Sequence, residues 1–206
     1  MFLRELGMIA IGILSGSVLY AKVLPLWIKG VDVTENSIDH NPGTANAMKN
    51  AGIPVGILCL LGDLLKGAIP VYLSIWMGLL AGPLFPVIMA APVLGHAYSL
   101  FAHGKGGKGI AVSFGVLIGL APVKPQLLLL LAALYIAGSA LLIRPHTRRT
   151  RVTYFCFDIG AAVLLAMKKI PLQAFLGALL ISFVVIHKNS VRQELLEETA
   201  ESLESL

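Results

Sequence analysis

The chain has 206 residues, 57% of them hydrophobic and only 13% charged, with a formal charge of +5. A soluble domain normally carries about 25% charged residues. The apolar residues also gather in long runs, several near the ~20 residues needed to cross a bilayer, which excludes a soluble globular domain. Nor is the positive charge a nucleic-acid footprint, because no basic region is interleaved with aromatic residues.

Taken in chain order, the runs predict seven helices, over 3–26, 53–77, 79–100, 109–123, 126–143, 152–167 and 170–187. The expected fold is all-α: an integral membrane bundle of about seven transmembrane helices over residues 1–193, then an acidic cytoplasmic tail over 194–206. The first run has no small-residue cleavage site before a soluble domain, so it reads as a retained helix. Gly12 and Gly16 give it a face of small residues for close helix packing. The runs at 109–123 and 152–167 are short for a full crossing. Pro54, Pro83, Pro125 and Pro171 lie near helix starts, where a missing amide hydrogen costs little. Cys59 and Cys156 sit in separate apolar runs and are expected to pack there. The acidic C-terminal segment reads as a solvated tail more than as an amphipathic helix.

Seven crossings divide the lysines and arginines between two sides. Lys29, Lys49, Lys105, Lys108, Arg144, Arg148, Arg149, Arg151, Lys188 and Arg192 fall on one, and Arg4, Lys124, Lys168 and Lys169 on the other. Ten against four places the first set and the C-terminus in the cytoplasm, and the N-terminus outside.

Function is expected where polar groups border or interrupt the helices. A loop from Asn36 to Asn46 is crowded with small polar residues, and Thr44 or Asn46 can cap a helix entering the next crossing. Asp63 and Lys66 are three apart, on neighbouring positions of one helix face, and read as a structural ion pair at least as readily as direct chemistry. The turn His103-Gly104-Lys105-Gly106-Gly107-Lys108-Gly109 combines backbone amides with two cations, the chemistry that binds phosphate. It is not a dinucleotide fingerprint, since a membrane-length helix precedes it and no strand does. Arg144, His146, Arg148, Arg149 and Arg151 form a basic cluster that reads first as a topology signal. His187, Asn189, Ser190 and Arg192 make a last polar island.

These islands carry a resemblance. Gly95-His96-Ala97-Tyr98-Ser99, Phe101 and Lys105-Gly106-Gly107-Lys108-Gly109-Ile110-Ala111 resemble the second cytoplasmic motif of bacterial membrane glycerol-3-phosphate acyltransferases of the acyl-phosphate-dependent PlsY family. Asn41, Gly43 and Asn46 fit the first motif, although the glycine-serine-glycine entry is absent and Glu35 stands where a basic residue is usual. Asp63, Lys66 and Gly67 match its D-x-x-K-G sequence, and Thr153 takes the place of a catalytic-region serine. His187, Asn189 and Arg192 resemble the third motif in altered register, with Glu197 as the downstream acid.

The resemblance implies transfer of an acyl chain from acyl phosphate to the 1-hydroxyl of glycerol 3-phosphate, yielding lysophosphatidate and phosphate. It implies a bacterial inner-membrane monomer among membrane lipids, with no nucleic-acid partner, cofactor or metal. It assigns His187, Lys108 and Asn46 to catalysis. Asn41, Gly43, Lys66, His96, Ser99, Lys105, Gly106, Gly107, Gly109, Thr153, Asn189 and Arg192 are assigned to substrate and phosphate binding, and Asp63 and Glu197 to structure. Either His187 or the substrate's own phosphate is the expected proton acceptor, the latter slightly preferred. Two other readings stay open: a transporter or channel for a small anionic solute, and a non-catalytic relative that binds lipid phosphates.

Overall fold

A computed structural model describes residues 1–35, 37, 40–142 and 145–204, the stretch 192–204 by backbone alone. Arg144, the Ile38-Asp39 part of the first motif, and the side chains of Arg192 and Glu197 lie outside the described residues. The rest forms an all-α integral membrane bundle. Its helices are α1 (Phe2–Ser17), α2 (Tyr20–Lys29), α3 (Thr44–Ala51), α4 (Ile53–Trp76), α5 (Phe85–Ala97), α6 (Ile110–Leu120), α7 (Gln126–Ala140), α8 (His146–Ala166) and α9 (Leu172–Glu204).

The expected count of about seven crossings is corrected. Among the described residues, three helical stretches are long and apolar enough to cross a membrane: Ile53–Trp76, Phe85–Ala102 and Leu172–Val191. The bent pair α1 and α2 makes a fourth if it counts as one span. Length explains part of the difference. At about 1.5 Å per residue, the 11 residues of α6 reach roughly half of a ~30 Å hydrocarbon core. Charge explains the rest, because α8 carries Arg148, Arg149, Arg151 and Asp158 within its 21 residues. The backbone of the acidic segment is helical and continues α9 as far as Glu204.

The first hydrophobic run is broken in the middle. α1 ends at Ser17 and α2 begins at Tyr20, with a bend of 41° between them. Glycine–serine pairs are a known cause of such kinks, and Gly16-Ser17 stands immediately before this one.

At the centre lies α5, where Phe85, Ile88, Met89, Ala91, Val93 and Ala97 are all wholly buried. α1 crosses it at very short range. A Cβ on Gly16 would collide with the Pro92 carbonyl, and one on Gly95 with the Ile13 carbonyl. Glycine is therefore what lets these two backbones touch. At the end of the bundle away from the lysine turn, the wholly buried Glu5 accepts the Leu84 amide at 3.0 Å. That carboxylate caps the N-terminus of α5, where helix amides lack partners of their own.

Candidate functional site: two cavities sharing a glycine–lysine turn

The turn between α5 and α6 folds back against the helix it leaves. Gly107 donates its amide to the His96 carbonyl at 3.0 Å. Side chains at Gly106 and Gly107 would collide with the His96 carbonyl and His96 Nε2, so only glycine fits. Gly109 then caps α6 in the left-handed region, with φ of 80°, and supplies no side-chain bond to the opening amides of that helix. An uncapped helix start beside two lysines is suited to receive an anion.

The turn separates two hollows. On one side a cavity of 480 Å³ is lined by Asn41, Gly43, Asn46, Asp63, His96, Lys108 and Gly109, and also by Phe114, Tyr135 and His146. On the other side a groove of 1290 Å³ is lined by Lys105, Gly106 and Lys188, and by Lys22, Leu26, Trp27 and Phe101. The two lysines of the turn thus face different spaces.

The first motif borders the cavity as a closed loop. Asn46 Nδ2 donates to the Asn41 carbonyl at 2.9 Å, and the Gly43 amide donates to the same oxygen at 2.8 Å. Asn46 then receives Asn50 Nδ2 on its own carbonyl at 3.0 Å. Behind this loop, burial pushes the Asp32 carboxyl up, but hydrogen bonds from Thr34 and the nearby Lys22 charge prevail and hold it below the usual range.

Lys66 is the fastener beneath the cavity. Its ammonium lies 2.8 Å from Asp63 Oδ1, 2.5 Å from the Val18 carbonyl and 2.9 Å from His96 Nδ1. Two hydrogen bonds and the ion pair with Asp63 thus surround this buried cation. The geometry also fixes the imidazole. An ammonium can only donate, so Nδ1 of His96 accepts and its hydrogen sits on Nε2, beside Gly107.

Other predicted residues sit away from the cavity lining. Ser99 is wholly buried and donates to the Ser17 carbonyl at 2.6 Å, tying the turn to the break in the first run. Thr153 packs between helices, its hydroxyl 3.2 Å from where a Cβ on Gly138 would lie. Asn189 is wholly buried and donates to the Val185 carbonyl of its own helix at 2.8 Å. His187 is exposed and stacks on exposed Phe183, ring centres 6.2 Å apart. Conversely, Phe114, Tyr135 and His146 line the cavity although no motif points to them. The available signal was weak: His146 follows Pro145, a residue type common at helix starts.

Fold and site together define a helical membrane protein that presents cations and free backbone amides beside an apolar groove. Residues 6–197 match the glycerol-3-phosphate acyltransferase family, and the chain belongs to it. It is 40% identical over 126 residues to the glycerol-3-phosphate acyltransferase of Shewanella woodyi, a match covering 61% of this chain and 60% of that one. The Pseudomonas aeruginosa enzyme of the same name is 42% identical over 120 residues, covering 58% of this chain and 61% of its own. The chain thus spans about three-fifths of the length of these curated relatives. The crystal structure of PlsY, an integral membrane glycerol 3-phosphate acyltransferase, in its glycerol 3-phosphate form superposes with a TM-score of 0.78. Identity is 24%, with 95% of this chain and 93% of PlsY covered, so the likeness is one of fold.

Proposed function

We propose that the protein transfers an acyl chain from acyl phosphate to the 1-hydroxyl of glycerol 3-phosphate, releasing lysophosphatidate and phosphate. The observation that carries this reading is the shared turn, with Lys108 in one hollow and Lys105 in the other. Both reactants bear phosphate and one bears a hydrocarbon chain. Glycerol 3-phosphate fits the smaller cavity, with Asn41 and Asn46 orienting it and Lys108, Gly109 and the α6 amides gathering its charge. The acyl phosphate fits the larger groove, where Lys105 and Lys188 meet its phosphate and Leu26, Trp27 and Phe101 meet its tail. Related PlsY has been crystallised in glycerol 3-phosphate and lysophosphatidic acid forms, which supports the same acceptor and the same product.

An acyl phosphate is already activated, so orientation and charge stabilisation carry most of the work. In this reading Lys66, Asp63 and Ser99 hold the walls, while His96 presents an N–H to the cavity. Arg192 and Glu197 retain the roles the family resemblance gives them, as do Thr153 and Asn189 in substrate binding. The lysine-bearing end faces the cytoplasm of a bacterial inner membrane, the N-terminus lies outside, and residues 194–206 form a cytoplasmic tail.

The test is detergent-purified protein supplied with acyl phosphate and glycerol 3-phosphate. Lysophosphatidate should form, and Lys108→Ala should lower turnover by on the order of 100-fold or more while membrane insertion stays normal. Lys105→Ala should raise KM for the acyl phosphate more than for glycerol 3-phosphate. Solute flux into vesicles without product formation would instead favour a transporter.

A further inference from the structure

Two imidazoles line the smaller cavity, and they are held in opposite ways. His96 accepts on Nδ1, so its other nitrogen is a donor. His146, the first residue of α8, is the reverse case. The Thr150 hydroxyl gives its hydrogen to the His146 carbonyl at 2.9 Å, so toward Nδ1, 3.5 Å away, it can only accept. That arrangement suits an imidazole hydrogen on Nδ1 and a lone pair on Nε2, 3.1 Å from the Tyr135 hydroxyl.

Tyr135 is itself clamped from two sides. The edge contact with Phe114 has ring centres 5.7 Å apart at 89°, and the Arg149 guanidinium lies 5.6 Å from the tyrosine ring centre. α6, α7 and α8 thus each supply one part of the wall, with His146 exposed at the start of α8. Among the described residues, the charged and titratable groups around it are Arg149 and Tyr154 on α8, Lys108 in the turn, and Asp63 and His96 on α4 and α5. Asp63 is committed to Lys66 at 2.8 Å. His187, one of the two proton acceptors anticipated from the sequence beside the slightly preferred substrate phosphate, stacks on exposed Phe183 and is not among the cavity-lining residues.

We propose that the Tyr135–His146 pair takes up the proton shed by the acceptor hydroxyl, an inference that rests on the acyl-transfer reading above. The hydroxyl oxygen bonds to the acyl carbon. Its proton passes to the Tyr135 oxygen as the tyrosine gives its own to His146 Nε2. The bond between the acyl carbon and the phosphate oxygen breaks, phosphate leaves with the electron pair, and the imidazolium then returns its proton through the Tyr135 hydroxyl to water. Histidine suits this task because it changes charge between about pH 5 and 8.

The experiment is the pH profile of kcat and of KM for glycerol 3-phosphate in purified wild type, His146→Gln and Tyr135→Phe. Wild-type kcat should fall on the acid side. His146→Gln should lower kcat about 100-fold, remove the acid limb and leave KM nearly unchanged. Tyr135→Phe keeps the ring in its clamp and should lower kcat with a displaced acid limb. If His146→Gln does not survive purification, the Tyr135→Phe profile decides. Unaltered kcat and acid limb in either purified variant, beside an active wild type, overturn the pair's role alone. An inactive wild type overturns the reaction and the pair together.

Discussion

Lys66 joins four parts of the chain at one nitrogen: its own helix through Asp63, the break after α1 through Val18, α5 through His96, and α2 through the Tyr20 ring, 5.6 Å away. Its side chain is 1% exposed and that of Asp63 is 3% exposed, so neither charge has water to fall back on. Removing one partner of such a pair costs about 3–5 kcal/mol because the other charge is left uncompensated. Lys66→Met should therefore lower the unfolding midpoint in detergent sharply, and adding Asp63→Asn should restore part of the loss. A Lys66→Met protein that melts like the wild type would show that the pair does not hold these elements together. At this scale the sequence was partly legible. The i,i+3 spacing placed Asp63 and Lys66 on one face, and glycine density marked the turn. The outward position of His187 was accessible too. His187 and Asn189 are two apart, roughly 200° around a helix, so burial of Asn189 turns His187 away. His146 was hidden because a basic cluster satisfies the topology reading without any chemistry.

Between α1 and α2 the helix ladder lapses, and a break inside a membrane leaves carbonyls that must find donors. They find them in the motifs: Ser99 donates to the Ser17 carbonyl and Lys66 to that of Val18. The Ser17 hydroxyl also receives the Leu100 amide at 3.2 Å, so the bond network runs both ways. Ser99→Ala should cost about 1–3 kcal/mol by orphaning a buried carbonyl, read as a lower midpoint in the same melts. A neutral result would mean the carbonyl finds another donor. Gly16→Ala, one residue before the break, should be at least as damaging because its Cβ meets the Pro92 backbone, which cannot swing aside. Helix existence was legible almost throughout, since each predicted run has a helical counterpart. The break was not, because Ser17-Val18-Leu19 contains no proline and is as apolar as its surroundings. Nor was the start of α8 at His146, where the charges of the first two turns fall below any hydropathy threshold.

Over the whole molecule, the distribution of charge decides which face of the membrane holds the site. Lys105, Lys188 and Lys22 line one groove and Lys108 the adjoining cavity, so cations separated widely in sequence are gathered at one end. Glu5 bonds to Leu84 and Gln173 to Ala81 at the other end, near helix starts where positive charge is sparse. The bias toward cytoplasmic lysine and arginine predicts that the site end faces inward. This conclusion no longer depends on seven full crossings, because the gathering of charges is a property of the folded bundle. Single cysteines can report it. Lys49 on α3 and Lys169 before α9 are both exposed and lie outside the cavity lining. In a protein with Cys156→Ser, the buried Cys59 being shielded, Lys49→Cys should react with a membrane-impermeant maleimide only after cells are opened. Lys169→Cys should react in sealed spheroplasts. The opposite pattern would put the site on the outer face and overturn the proposed orientation.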